Sequence, residues 1–374
     1  MQPDSQPGAS MSGSVGIRHL EIIGRIPRPS GSEGERAARD YAAAELRLLG
    51  FDVREEGFAF STFPGRYATS IAGAVLGGSI VAACVLGLRA APLAAIVGLL
   101  VSSVLATTVF ARWMLADGVL TAPWLRATAV NVVAVRGPAI PRVWLVAHLD
   151  SKSQPLPSAA RIAGAALLGA ALLLVLVALL LTPGGSPSRT TWWVALCAGA
   201  VGTLPIVASV VGTRSDGAVD NASGVAAVLA AAAMVGHQVP CGVLFPGAEE
   251  LGLAGARAWA LRRDAAIALN CDGVDDEGTL VIMYNQSAPN DVVAAVSAAA
   301  PVRMRARVRR MPFGLLTDST ALAATGWRTV TVSHGSLATL RRVHTSRDSL
   351  AALRGTAIDE VAGILARAVE ALAT

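Results

Sequence analysis

Four stretches of about twenty residues carry no charge at all: 69–88, 90–110, 162–181 and 192–211. A bilayer core is crossed by a helix of about 20 apolar residues, so each stretch is long enough to span one. The connectors within each pair are short. Arg89 stands in the first, and Pro183 to Thr191 forms the second. The stretches therefore read as two helical hairpins, 69–110 and 162–211. The other way to hide such runs is as core helices of a soluble domain. That fits poorly with a hydrophobic fraction of 53%, aromatics of only 5% and a mean hydropathy of +0.54, all beyond the range of an ordinary soluble chain. Trp192 and Trp193 stand where an interfacial aromatic belt would lie.

A hairpin returns to the side it left. The polar segments 18–68, 112–161 and 212–374 are thus expected on one side of the membrane, assembled as one domain, with 1–17 a disordered tail rich in small polar residues. Arg66, Arg112, Arg126, Lys152, Arg161 and Arg214 flank the spans on that side, against Arg89 and Arg189 at the hairpin tips. The positive-inside bias puts the large domain in the cytoplasm, with four transmembrane helices in a bacterial-type plasma membrane. No basic segment followed by an apolar one opens the chain, so no signal peptide is read. The net charge of +5 comes from arginine, Lys152 being the single lysine. No nucleic-acid recognition motif accompanies it, and no nucleic-acid partner is expected. Cys84, Cys197, Cys241 and Cys271 show no paired spacing for disulfides or a thiolate metal site.

The polar segments alternate. Ser32 and Glu35 have capping-box spacing ahead of an amphipathic helix that stops at Gly50. Strands are predicted from 51, at 129–135 and at 143–147. After 212 helices near 221–236, 249–263, 289–299, 318–325 and 355–372 interleave with strands at 241–246, 266–271, 279–284, 302–309 and 328–333. Such alternation argues an α/β fold with a mixed, largely parallel central sheet flanked by helices.

Five places hold acids or imidazoles, most at strand ends or helix starts, where α/β sheets place ligands. In His148-Leu149-Asp150, residues two apart share a strand face, so Asp150 could fix the far ring nitrogen of His148. Asp220-Asn221-Ala222-Ser223-Gly224 leads into an Ala-rich helix, and Asp220 is either a plain N-cap or a metal carboxylate. Glu249-Glu250 follows a buried strand; adjacent side chains point apart, so one could bind metal while the other takes a proton, although acids also favour a helix's first turn. Asp272 ends a strand ahead of Gly273, and His344 lies in a late loop, His344-Thr345-Ser346-Arg347-Asp348. Read alone, each has an ordinary explanation as a turn or surface residue. His19, His237 and His334 fit no such pattern and read as structural or surface residues.

Taken in order, His-x-Asp, Asp-Asn-x-Ser-Gly, Glu-Glu, Asp and His-Thr-x-x-Asp resemble the co-catalytic zinc exopeptidases of the bacterial leucyl aminopeptidase and aminopeptidase Y type. The opening Ile26-Pro27-Arg28-Pro29-Ser30-Gly31-Ser32-Glu33-Gly34-Glu35 resembles that family too. The likeness covers roughly 18–66, 128–152 and 214–372, with the four spans as insertions. It implies the zinc-exopeptidase, phosphorylase/hydrolase-like fold and two zinc ions. One would take His148, Asp220 and Asp272; the other would take Asp220, Glu250 and His344. Glu249 would be the general base and Asp150 the partner of His148. The implied function is hydrolysis of the N-terminal peptide bond of a peptide substrate by metal-activated water, in an enzyme anchored in the lipid bilayer.

Two departures stand out. A family Ser-Asp-His segment reads Thr317-Asp318-Ser319 here, and no tyrosine stands just ahead of it, Phe313 and Gly314 being nearest. No oxyanion donor is assigned. His148-Leu149-Asp150-Ser151-Lys152 also resembles the glutaminyl-cyclase branch, a zinc acyltransferase expected to hold one zinc. A non-catalytic membrane scaffold is the third reading, and it expects missing ligands. Arg303, Arg305, Arg307 and Arg309 alternate as on one face of a strand, either a solvated edge or a contact for anionic headgroups. The oligomeric state is not set by the sequence.

Overall fold

The computed structural model describes residues 14–89, 91–110, 112, 118–182, 185–312 and 314–373. Residues 1–13 of the segment expected as a tail lie outside these, and its end already belongs to the first helix. The helices are α1 (Val15–Ile23), α2 (Glu33–Leu48), α3 (Thr69–Leu88), α4 (Pro92–Phe110), α5 (Gly118–Thr121), α6 (Ser158–Leu181) and α7 (Arg189–Val207). They continue with α8 (Gly224–Met234), α9 (Ala254–Ala260), α10 (Asn290–Ala299), α11 (Asp318–Ala323), α12 (Leu337–Arg342) and α13 (Ile358–Ala373). The strands are β1 (Asp52–Ser61), β2 (Arg126–Arg136), β3 (Val143–Val146), β4 (Cys241–Phe245), β5 (Ile267–Val274), β6 (Thr279–Tyr284), β7 (Arg307–Arg310) and β8 (Arg328–Gly335).

Among the described residues the strands form one eight-stranded mixed sheet in the order β1-β2-β4-β3-β5-β8-β6-β7. Its centre, β4-β3-β5-β8, is parallel. β1, β2 and β4 pair antiparallel on one flank, and β6 pairs antiparallel with β8 on the other. The central strands are short apolar runs buried along their whole length, Val143–Val146 and Cys241–Phe245 above all, as strands covered on both faces must be. One face packs under α8 and α13, which are rich in Ala, Val and Leu. The other carries Trp144, Trp259 and Trp327, whose rings meet edge-on or tilted at 4.8–6.4 Å between centroids.

Helix α2 starts as its sequence predicts: Ser32 is the N-cap and its hydroxyl accepts from the Glu35 amide at 3.2 Å. The Glu35 carboxylate reaches back past Ser32 to the Gly31 amide, so the capping acid closes the turn one residue earlier. The alternating arginines behave differently from the expected strand. Val302–Met304 is a 3-10 turn following Pro301, and only Arg307–Arg310 pair, as an exposed edge beside β6. Pro301 fixes its own φ and has no amide to donate, so the ladder begins after it.

The uncharged stretches form α3, α4, α6 and α7. Among the described residues three helical segments, Pro64–Leu88, Ser158–Leu181 and Arg189–Val207, are long and apolar enough to cross a membrane; the apolar run Leu93–Val109 in α4 is shorter. The four pack together: α3 against α4 and α7, and α6 against α7. Glycine permits this close approach. A side chain at Gly77 would collide with Thr203, and Gly164 and Gly202 face each other across the α6–α7 contact, the small-residue interface expected between membrane helices. Trp192 is buried in this bundle against Gly87, while Trp193 is 52% exposed. Of the expected aromatic belt only Trp193 faces outward, because α3 covers its neighbour. Helix α6 also begins at Ser158, before the uncharged run, so Arg161 belongs to its first turn.

Candidate metal centre

The five sequence-predicted metal ligands and both other site residues come together at the C-terminal edge of the parallel strands. Beyond β3 the chain runs on beside the tail of β4, with the Ala147 amide on Leu244 O at 3.2 Å and the Leu149 amide on Pro246 O at 3.1 Å. That extension presents His148. Glu249 and Glu250 follow β4 in a turn where Ala248 and Leu253 take φ of 57° and 60°. Asp272 lies near the end of β5, where a bulge breaks its register with β8. Asp220 precedes α8 with φ −116° and ψ 89°, outside helical geometry, and His344 follows α12 with φ 66°.

Asp220 stands between the two imidazoles. Its Oδ1 lies 3.2 Å from His148 Nε2 and its Oδ2 lies 2.9 Å from His344 Nε2. His148 Nε2 is also 3.8 Å from Asp272 Oδ1 and 4.0 Å from Glu249 Oε2, and His344 Nε2 is 3.5 Å from Glu250 Oε1. His148, Glu249 and Asp272 form one group whose donor atoms lie within 4.8 Å of one another, and Asp220, Glu250 and His344 form a second. Asp220 is therefore no helix cap.

Asp150 acts differently from the expectation. His148 Nδ1 meets the Asp150 main-chain carbonyl at 3.0 Å, while the Asp150 carboxylate is 3.8 Å away. The carboxylate instead accepts from the Glu249 and Glu250 amides at 3.0 and 3.1 Å. Two amides aimed at one acid bind it better than a single ring N–H would. The residue thus orients His148 through its backbone and the glutamate turn through its side chain.

Other side chains hold the loops, and the sequence marked them only as members of motifs, without their partners. Asn221, joined to Asp220 by a cis peptide bond, donates to Cys271 O at 2.9 Å and accepts from the Gly224 and Gly273 amides at 3.1 Å. It stitches the Asp220 loop to the strand end bearing Asp272. Asp348 accepts from the Val219 and Asp220 amides at 2.7 and 3.2 Å; its place in the His-Thr-x-x-Asp pattern was its only signal. Arg28 is fully buried and donates to the carbonyls of Ile23, Leu149, Asp216 and Gly217. Lys152 pairs with the Glu250 carboxylate. Asp318, from the altered Thr-Asp-Ser segment, is buried without a hydrogen-bond partner on either oxygen. Phe313 lies outside the described residues. Of the remaining histidines, His19 bonds Tyr41 Oη at 2.7 Å and His334 bonds Asp275 O at 2.6 Å, both structural.

Charge is concentrated here. Burial pushes the Glu249 carboxyl far up, and the charges of Glu250, Asp318 and Asp272 push it further against the pull of His148. Burial opposes ionisation of Glu250 too, but Lys152 overrides it and holds the acid at about 2. Burial would also neutralise Asp220, yet its hydrogen bonds to His148 and His344 keep it well below the usual range. Burial would lower His148, and the charge of Glu249 with bonds to Asp220 and Asp272 raises it instead. So many buried acids need cationic compensation. The donors are all oxygen and imidazole nitrogen, the set zinc accepts. Glu250 Oε1 is buried with no hydrogen-bond donor and faces His344, so the residues present fit a metal.

Residues 200–369 match the peptidase family M28 model. No curated protein matches the sequence. The chain's fold is similar to an aminopeptidase from Aneurinibacillus sp. strain AM-1, with TM-score 0.57, 14% identity, and 96% of this chain and 93% of that one covered. It is similar to the zinc aminopeptidase BSAP from Bacillus subtilis, with TM-score 0.55, 14% identity and coverage of 95% and 93%. It is also similar to Porphyromonas gingivalis glutaminyl cyclase, with TM-score 0.54, 16% identity and coverage of 96% and 98%. Residues 200–369, with Asp220, the two glutamates, Asp272 and His344 inside them, are similar to peptidase family M28, and the chain carries them on an eight-stranded α/β fold with apolar hairpins inserted.

Proposed function

We propose that the chain is a membrane-anchored zinc aminopeptidase that removes the N-terminal residue of peptides. The observation behind this reading is the placement of Asp220, one carboxylate oxygen toward His148 and the other toward His344. A carboxylate so placed could donate one oxygen to each of two cations. One zinc would be held by His148, Asp220 and Asp272, the other by Asp220, Glu250 and His344. Bound zinc would supply Lewis acidity, polarising the scissile carbonyl and acidifying a water.

The chain's own residues do the rest. Glu249 sits beside His148 and not on the His344 side, and its strongly raised proton affinity suits a group that takes a proton from water and returns it to the leaving amine. Asp150 sets the angle of both glutamates through their amides, and its carbonyl fixes the tautomer of His148. Asp220 and Asp272 keep 13% and 16% of their side-chain surface open, leaving a way in for substrate. Aminoacyl-amide fluorogenic substrates test the reading: Glu249→Ala should lower kcat by about 10²–10⁴-fold with zinc content unchanged. Equal product release by wild type and variant sinks it.

Lys152 supports a second reading, a glutaminyl-cyclase-like acyltransferase. Its ammonium rests on Glu250, and the His148–Lys152 segment resembles that branch. Release of ammonia from N-terminal glutamine peptides by a one-zinc protein would favour it; release of free amino acids by a two-zinc protein favours the aminopeptidase. The lipid bilayer is the proposed partner of α3, α4, α6 and α7, with the peptidase domain on the cytoplasmic side by the arginine bias.

A further inference from the structure

Helix α6 enters the metal centre directly. Its first residue, Ser158, places Oγ 2.9 Å from His344 Nδ1, and both residues are buried. Four residues earlier the Gln154 amide donates to the His344 carbonyl at 2.7 Å. His344 has φ 66°, a left-handed conformation that costs a non-glycine residue energy and persists only where its surroundings hold it. The holding groups belong to the root of the second hairpin. Gln154 Nε2 also donates to Ser209 O at the end of α7, at 3.3 Å, and its Oε1 accepts from Arg161 of α6 at 2.6 Å. Ser153 and Gly212 close the root with paired main-chain bonds of 3.1 and 2.7 Å.

We infer that the α6–α7 hairpin is a working part of the centre, with Ser158 as the positioning residue for His344. This rests on the dizinc reading proposed above. With Nδ1–H donating to Ser158 Oγ, the ring presents an unprotonated Nε2 toward Asp220 and Glu250, the tautomer a metal needs. Partners of a ligating histidine's second nitrogen typically govern metal affinity by about 10–100-fold. The sequence motifs contain nothing of this, because Ser158 belongs to the inserted hairpin and not to the peptidase pattern.

The test is zinc affinity, read by competition with a chromogenic chelator on the full chain in detergent micelles. Ser158→Ala should weaken one of two zinc sites by about 10–100-fold and leave the other unchanged. Ser158→Thr, which keeps the hydroxyl, should restore it. Should the alanine variant fail to fold, Ser158→Cys, of similar size but a poor acceptor, must show the same selective loss. Wild-type affinity in the alanine or cysteine variant, or equal weakening in alanine and threonine variants, overturns the inference while leaving the dizinc reading intact. A wild-type chain that binds no zinc overturns both.

Discussion

Asp220 faces both imidazoles, one carboxylate oxygen toward each. In the proposed two-zinc set, removing His148 or Glu250 takes one donor from one ion, whereas Asp220→Ala takes one from each and leaves two imidazoles without their carboxylate. The expected outcome is loss of both zinc ions, against two in the wild type, measured by elemental analysis after dialysis. Asp318 makes a separate prediction about pH. Burial, then the charges of Asp272, Asp150 and Glu250 against His148, pushes its carboxyl up to about 8 from an ordinary 3.8. Between those values the folded chain holds a proton that the unfolded chain has released. Stability should therefore fall as pH rises across that window. Asp318→Asn cannot ionise, so in the presence of chelator its thermal midpoint should decline less between pH 5 and pH 8, about 5 and 8 being inside the window. An identical decline in both proteins would show that Asp318 is not the group responsible.

At the level of elements, the centre depends on pieces that lie outside the strands. Arg28 sits between α1 and α2, yet its guanidinium reaches the carbonyls of Leu149, beside His148, and of Gly217, ahead of Asp220. It stays charged, burial lowering its pKa only to about 10. Arg28→Met would leave the buried Ile23 and Leu149 carbonyls and the half-buried Asp216 carbonyl without their donor, at about 1 kcal/mol each, while Gly217 O keeps the Ala222 amide. A loss on the order of 3 kcal/mol is expected, seen as a lower denaturant midpoint in detergent. The sequence marked Arg28 only as part of a resembling run. No local periodicity signals a side chain whose acceptors lie 121 and 189 positions away. The same limit explains Asp150. A His-x-Asp spacing says that two side chains share a face but not that two amides from another strand will claim the carboxylate first.

For the whole molecule, the two inserted hairpins pack on each other through α3 and α7, so the chain is an α/β domain with a helical bundle rooted in it. The surface of that bundle is apolar: Leu93, Val101, Val104, Leu173, Leu180 and Leu204 are each at least 61% exposed. Such an area marks a surface that is covered by a membrane or a partner, and the proposed membrane anchor makes a prediction. The chain should remain in the membrane fraction after alkaline carbonate washing and require detergent for extraction. A Ser188→Cys variant at the tip between α6 and α7 should react with an impermeant thiol reagent added from outside the cell, once the exposed Cys197 is removed. Labelling only after the cell is opened would place the peptidase domain on the outer side.

Local chemistry sufficed for what depends on neighbours in the chain: uncharged runs long enough to span, buried strands between amphipathic helices, acids and imidazoles at strand ends. The residue types of the donor set were legible for that reason, since a strand end in an α/β sheet exposes whatever follows it. The pairing of the donors came only from the family resemblance and not from local chemistry, because His148 and His344 meet only after the strand order, the bulge in β5 and the loops held by Asn221 and Asp348 are in place. Nor could the role of Ser158 be read, for it arises where an inserted helix happens to begin against a strained histidine. Sequence spacing encodes faces and lengths; which distant atoms come within hydrogen-bonding reach is decided by packing.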